Sequence, residues 1–152
     1  MAQDTSVSRY TKGEEIANSI THGLGVLLAL GGLVVLIIFA ALYGNAWHVV
    51  SCSIFGAALT LLYLASTLYH AIQHPGAKSV LRILDHAAIL VLIAGTYTPF
   101  TLVNLRGPWG WTLFGVIWGL AAIGIVIETT SLRRYRAGLI ALYVTMGWAV
   151  VA

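Results

Sequence analysis

Residues 23–43 read GLGVLLALGGLVVLIIFAALY, and the fold follows from that stretch. No charged side chain interrupts it. A helix rises about 1.5 Å per residue, so about 20 apolar residues are needed to cross the hydrocarbon of a bilayer. The stretch has that length. It is also longer than the apolar region of a cleaved leader, and no small-residue cleavage site follows it, which predicts a retained span. Runs of similar character occupy residues 48–70, 84–104 and 109–128, and a fifth starts at 137 and is still apolar at 152. The connections read YGNAW, QHPGAK and NLRGPWG. In them Pro75 and Pro108 are expected to stop helices, beside glycines that permit sharp turns. A spanning segment must satisfy its own backbone groups, which selects helices. Strands of an outer-membrane barrel would be shorter and would alternate apolar with polar.

The expected fold class is therefore all-α, a polytopic transmembrane helix bundle. Residues 1–22 form an N-terminal segment leading into helix one, and the bundle occupies 23–152. Composition agrees: 59% of the chain is hydrophobic and only 9% is charged. Soluble domains carry about a quarter charged residues, so this surface must face lipid, and membrane lipids are the expected partners.

The eight basic residues give a net charge of +3, but they flank the apolar runs and form no stripe for a phosphate backbone, so no nucleic-acid partner is expected. Arg9 and Lys12 precede helix one, Lys78 and Arg82 lie near the second connection, and Arg133, Arg134 and Arg136 lie in the fourth. Arg106 alone lies in the third. The positive-inside rule then predicts a multi-pass protein of the cell membrane with a cytoplasmic N-terminus. Cys52 is single, so no internal disulfide can form. Trp47, Trp109 and Trp111 fall at span boundaries and read as headgroup anchors. The many glycines, among them Gly31, Gly32, Gly115, Gly119 and Gly124, are expected to let helices approach closely.

Against this background the segment STLYHAIQHPGAKSVLRILDH, residues 66–86, is unusual. Ser66 and His70 are four apart and share a helix face. Asp85 is expected to open helix three, and a connection so short makes helices two and three antiparallel neighbours. Glu15, Asn18 and His22, at i, i+3 and i+7, form a stripe leading into helix one from the same side. A carboxylate within a span costs about 2.5–3.5 kcal/mol at the centre and less near an interface. Such groups persist where they pair, bind metal or line a wet cavity. Blander readings exist for each residue alone. Asp85 can pair with Arg82, Ser66 can bond back to a helix carbonyl, and His22 and His86 can sit at headgroup level. Glu128 is expected to face Arg133, Arg134 and Arg136. Coincidence at one depth favours a site, and imidazole with a nearby carboxylate suits zinc-assisted hydrolysis of a lipid amide or ester.

Four motifs carry a resemblance: EEIANSITHG (14–23), STLYH (66–70), LDHAAI (84–89) and GTYTPF (95–100). Together they resemble the hemolysin III family, the bacterial branch of the progestin and adiponectin receptor superfamily, from about residue 13 to the end. That resemblance implies a seven-helix fold, of which about four and a half helices are present here. It implies a zinc ion near the cytoplasmic face, with His70 as one ligand and two further histidines on a seventh helix. Asp85 would hold the water that the zinc activates, with Ser66 beside it; these two are the expected catalytic residues. Glu15, Asn18, His22 and His86 would be outer-shell or motif positions. Similarity of the superfamily to alkaline ceramidases implies a zinc-dependent lipid amide or ester hydrolase. The alternative is a non-catalytic, bilayer-active protein: a membrane-state sensor, or a cytolytic pore. A pore needs a continuous polar face, which helices one, four and five lack. The chain reads as stopping within helix five, so a catalytic zinc is not expected to be held by these residues alone. In GTYTPF, Pro99 is expected to kink helix three while Thr96 and Thr98 satisfy freed carbonyls.

Overall fold

The computed structural model describes residues 10–149. Five α-helices follow one another: α1 (Lys12–Tyr43), α2 (Ala46–Ala71), α3 (Pro75–Pro99), α4 (Pro108–Thr129) and α5 (Arg136–Trp148). A π-helical turn, Phe100–Asn104, extends α3, and a 3-10 turn, Ser131–Arg134, leads into α5. No strand occurs among the described residues. The first four helices are long and apolar enough to cross a membrane. Residues 150–152 of the fifth apolar run lie outside the described part, as do residues 1–9.

Helix starts depart from the hydropathy boundaries for local reasons. α1 begins at Lys12, eleven residues before Gly23, because Thr11 and Glu14 form a capping box. The Thr11 amide donates to Glu14 Oε2 at 2.7 Å, and Thr11 Oγ1 accepts from the Glu14 amide at 3.3 Å. At 32 residues α1 is about 48 Å long, so its first turns extend beyond a hydrocarbon core about 30 Å thick unless the helix tilts. Pro75 and Pro108 do not stop helices. Each occupies the first turn of the next one, where the missing amide hydrogen costs nothing. Gly107, at φ 147°, makes the turn that delivers Pro108. Asp85 therefore does not open α3. It sits about 15 Å along it, ten residues after Pro75.

Successive helices run antiparallel. Glu15 meets His70, Gly95 meets Ala58, and Thr98 meets Trp118. The helices α1 and α2 are largely lipid-type surface, with Leu27, Leu28 and Leu42 more than 60% exposed. The tightest core lies among α3, α4 and α5, where Leu90, Ala94, Ile117, Ala121 and Met146 are buried. Tyr97 crosses it to donate to the Met146 carbonyl at 2.7 Å. At Pro99 the chain does not break but continues as the π-turn, where the Leu105 amide reaches the Phe100 carbonyl. Thr96 and Thr98 bond the carbonyls of Ile93 and Ala94. Neither bonds that of Gly95, which lies four residues before the proline.

Close helix approach uses some of the glycines and not others. Gly31, Gly32, Gly115 and Gly119 have open space around a notional Cβ. Of the five, only Gly124 packs as expected, since a Cβ there would stand 2.7 Å from methyls of Leu90 and Leu142, while Gly25, Gly56 and Gly95 hold the remaining crossings. At Gly95 a Cβ would stand 2.9 Å from Ala58 Cβ. Gly95→Ala should therefore destabilise by about 1–3 kcal/mol through overpacking. Gly31→Ala should be neutral or slightly stabilising. Denaturant unfolding in micelles, read by tryptophan fluorescence, separates the two.

The α1–α2 and α3–α4 connections lie at one end of the bundle. There Trp47 packs edge-on against Trp111 at 5.8 Å, and Arg106 lies 4.6 Å from the Trp47 ring centre. Trp109 and Trp111 are at least half exposed, as headgroup-level anchors are. The opposite end, holding Lys12, Lys78, Arg82 and Arg134, carries the polar groups of interest.

Candidate functional site

Capping of α1 places Glu15 on the face that meets α2, where it is only 4% exposed. Opposite stands His70 in the last turn of α2, 7% exposed. His70 Nδ1 and Glu15 Oε2 are 2.7 Å apart. The connection of residues 72–74 then returns the chain at once, and Pro75 starts α3 so that Lys78 falls one turn in. The Lys78 ammonium meets Glu15 Oε1 at 2.8 Å, donates to the Tyr69 carbonyl at 3.0 Å, and lies 4.8 Å from the Tyr69 ring centre. One carboxylate thus ties three helices together. Removing ions from water costs several kcal/mol each, and such a network is tolerated only when every charge is matched.

Aromatic rings complete the surround of His70. His22 lies parallel to it at 5.9 Å, Tyr10 edge-on at 5.4 Å and Tyr69 at 4.8 Å. Glu15 and His22 reach the same ring, so the stripe read in helix one is a real face; Asn18 between them is half-buried and makes no side-chain hydrogen bond among the described residues. With Nδ1 turned to the Glu15 carboxylate, Nε2 is the His70 nitrogen that faces away from it. Nothing among the described residues hydrogen-bonds that nitrogen. His22 Nδ1 is buried and likewise has no hydrogen-bond partner among the described residues.

Ser66, one turn before His70, is 5% exposed. Ser51, Ser53, Thr60 and Thr67 of the same helix all donate to carbonyls a turn earlier. Ser66 is the exception, with no side-chain hydrogen bond among the described residues. Asp85 is half-buried and pairs with neither Arg82 nor any other described residue. The structure does not bring it into hydrogen-bond contact with His70. His86 turns elsewhere: its Nδ1 meets Glu128 Oε1 of α4 at 2.7 Å. Glu128 is accordingly 6% exposed and paired with His86. Lys78 was not legible as a site residue, because Pro75 reads as a stop and Lys78 as a loop charge. Taking Pro75 as the first residue of a helix would have placed Lys78 against the end of α2.

For zinc, the donor chemistry fits in part. His70 has the arrangement usual for a metal-ligating imidazole, one nitrogen held by a carboxylate and the other free. Among the described residues no three His, Cys, Asp or Glu side chains converge on one metal position. His70 is therefore suited to be one ligand, and these residues form no complete set.

A bundle of lipid-length helices with a buried acid–base network at one end defines a polytopic α-helical membrane protein. Residues 10–152 match the model of the family described as haemolysin-III related, and the chain belongs to that family. It is 53% identical over 142 residues to a "Hemolysin-3 homolog" of Bacillus subtilis (strain 168), covering 93% of this chain and 67% of that protein. It is 48% identical over 147 residues to "Hemolysin-3" of Bacillus cereus, covering 97% and 67%. A human "Monocyte to macrophage differentiation factor" is 27% identical over 143 residues, covering 90% and 58%, which supports the link to the progestin and adiponectin receptor superfamily. No solved structure matches the chain.

Proposed function

We propose that this chain builds one wall of a zinc-dependent hydrolase site for a lipid amide or ester, at the cytoplasmic side, with the N-terminus in the cytoplasm. The observation that carries the reading is the buried Glu15–His70 pair, which leaves Nε2 as a fixed, unengaged donor. When bound, zinc supplies a Lewis acid that makes hydroxide available near neutral pH. Glu15 holds His70 in the tautomer that presents Nε2, and Lys78 offsets the carboxylate charge so that Glu15 does not become a ligand itself. Asp85 accepts the proton of the attacking water at its carboxylate. Ser66 donates its uncommitted hydroxyl to the substrate carbonyl.

A second reading has its own observation. The Lys78–Glu15–His70 network is charge-matched without a metal, which suits a brace in a non-catalytic, bilayer-active protein. The name hemolysin attached to the Bacillus cereus relative supports that direction. Zinc content decides between them. The natural full-length chain, purified in detergent, should hold about one zinc per chain, and His70→Ala should hold none. Wild-type protein without zinc sinks the hydrolase reading. The Glu15→Gln variant should retain zinc but lose about 10–100-fold in affinity, read by chelator competition.

A further inference from the structure

On the other side of α3 lies a cavity of about 580 Å³ between α3, α4, the 3-10 turn and α5. It shares no residue with the Glu15–His70–Lys78 network. One part of its wall is cationic: Arg82 is half-buried, and no carboxylate pairs with it among the described residues. Arg134 also lines the cavity; among the described residues its guanidinium donates only to the Tyr135 hydroxyl, at 3.1 Å. The carboxylate in the wall, Glu128, is already engaged by His86 at 2.7 Å. The other part is apolar, formed by Ile89, Leu139 and Ile140. Ile89 is 38% exposed and Ile140 61% exposed, so this part opens onto the apolar outer surface of the described helices.

We infer that this cavity binds one anionic phospholipid from the bilayer. Its phosphate lies between Arg82 and Arg134, and the start of an acyl chain lies along Ile89 and Ile140. Guanidinium groups match phosphate oxygens bidentately, and basic pockets between transmembrane helices take lipid headgroups. The volume falls within the range of about 300–1,000 Å³ typical of ligand sites. Two unmatched cations beside an apolar slot suit an anionic amphiphile better than a zwitterionic one. The inference does not depend on the hydrolase reading.

The test is native mass spectrometry of the natural full-length chain in detergent, titrated with phosphatidylglycerol, phosphatidylcholine or inorganic phosphate. One phosphatidylglycerol should bind in preference to phosphatidylcholine. Arg82→Gln and Arg134→Gln should each weaken it roughly five-fold, the worth of one basic residue near a membrane surface. Arg106→Gln, at the opposite end, should leave it unchanged. Ile140→Trp, which fills the slot and keeps both arginines, should also weaken binding, and it covers the case in which an arginine variant fails to fold. Equal retention of the two lipids, or equal loss in Arg106→Gln, overturns the inference in favour of unspecific surface charge. Displacement by millimolar inorganic phosphate with no effect of Ile140→Trp overturns it in favour of a free-phosphate site.

Discussion

Glu15→Ala is expected to destabilise the bundle by about 3–5 kcal/mol, because it leaves the Lys78 ammonium buried without a counter-charge. Among the described residues Nζ would keep the Tyr69 carbonyl at 3.0 Å, the Tyr69 ring at 4.8 Å and a weak contact to Gln73 at 3.5 Å, none of them a counter-charge. His70 Nδ1 would lose its carboxylate partner at the same time. Lys78→Met should cost less, since the ammonium goes and its methylene volume is largely kept, while Glu15 retains His70 as a partner. The pair in combination, Glu15→Ala with Lys78→Met, should be less damaging than the sum of the single changes, because no unmatched charge remains. A double-mutant cycle of unfolding in micelles measures this directly. Additive effects would mean that the two charges are not coupled across α1 and α3 as the 2.8 Å contact requires.

This network also marks where sequence reading stops. The four spans were legible because hydropathy over about 20 residues is a strong, local signal. Their ends were not, because polar turns can remain helical beyond the hydrocarbon. Thr11 with Glu14 starts α1 well before its first apolar run, and Pro75 reads equally as a stop and as a first residue. The glycine assignment failed for a related reason. Which glycine meets a neighbour depends on helix rotation, which a chain apolar on every side does not encode, so Gly95 and Gly56 could not be told apart from Gly31 and Gly32. The stripe of Glu15, Asn18 and His22 was visible from spacing within one helix. The long-range partnerships were not: Glu15 with His70 spans 55 residues and His86 with Glu128 spans 42.

The remaining large effect concerns turnover. If Asp85 takes a proton from the attacking water, Asp85→Asn should lower hydrolysis of a lipid amide by about 10²–10⁴-fold, the usual range for a lost general base. The change is nearly isosteric at a half-buried position with no ion pair to break among the described residues, so the fold should be unaffected. Zinc content should also stay near the wild-type value, since on that reading Asp85 acts on water and His70 is the ligand. On that reading His70→Ala differs on both counts: it loses metal and activity together, and it takes from Glu15 the partner at 2.7 Å. A brace without catalysis reverses the ranking. There Asp85→Asn is silent in every assay, and His70→Ala acts through stability only. Measuring lipid-amide cleavage, zinc content and unfolding on the same two variants therefore separates hydrolase from brace, because only the hydrolase requires an Asp85 variant that is folded, metal-loaded and inactive.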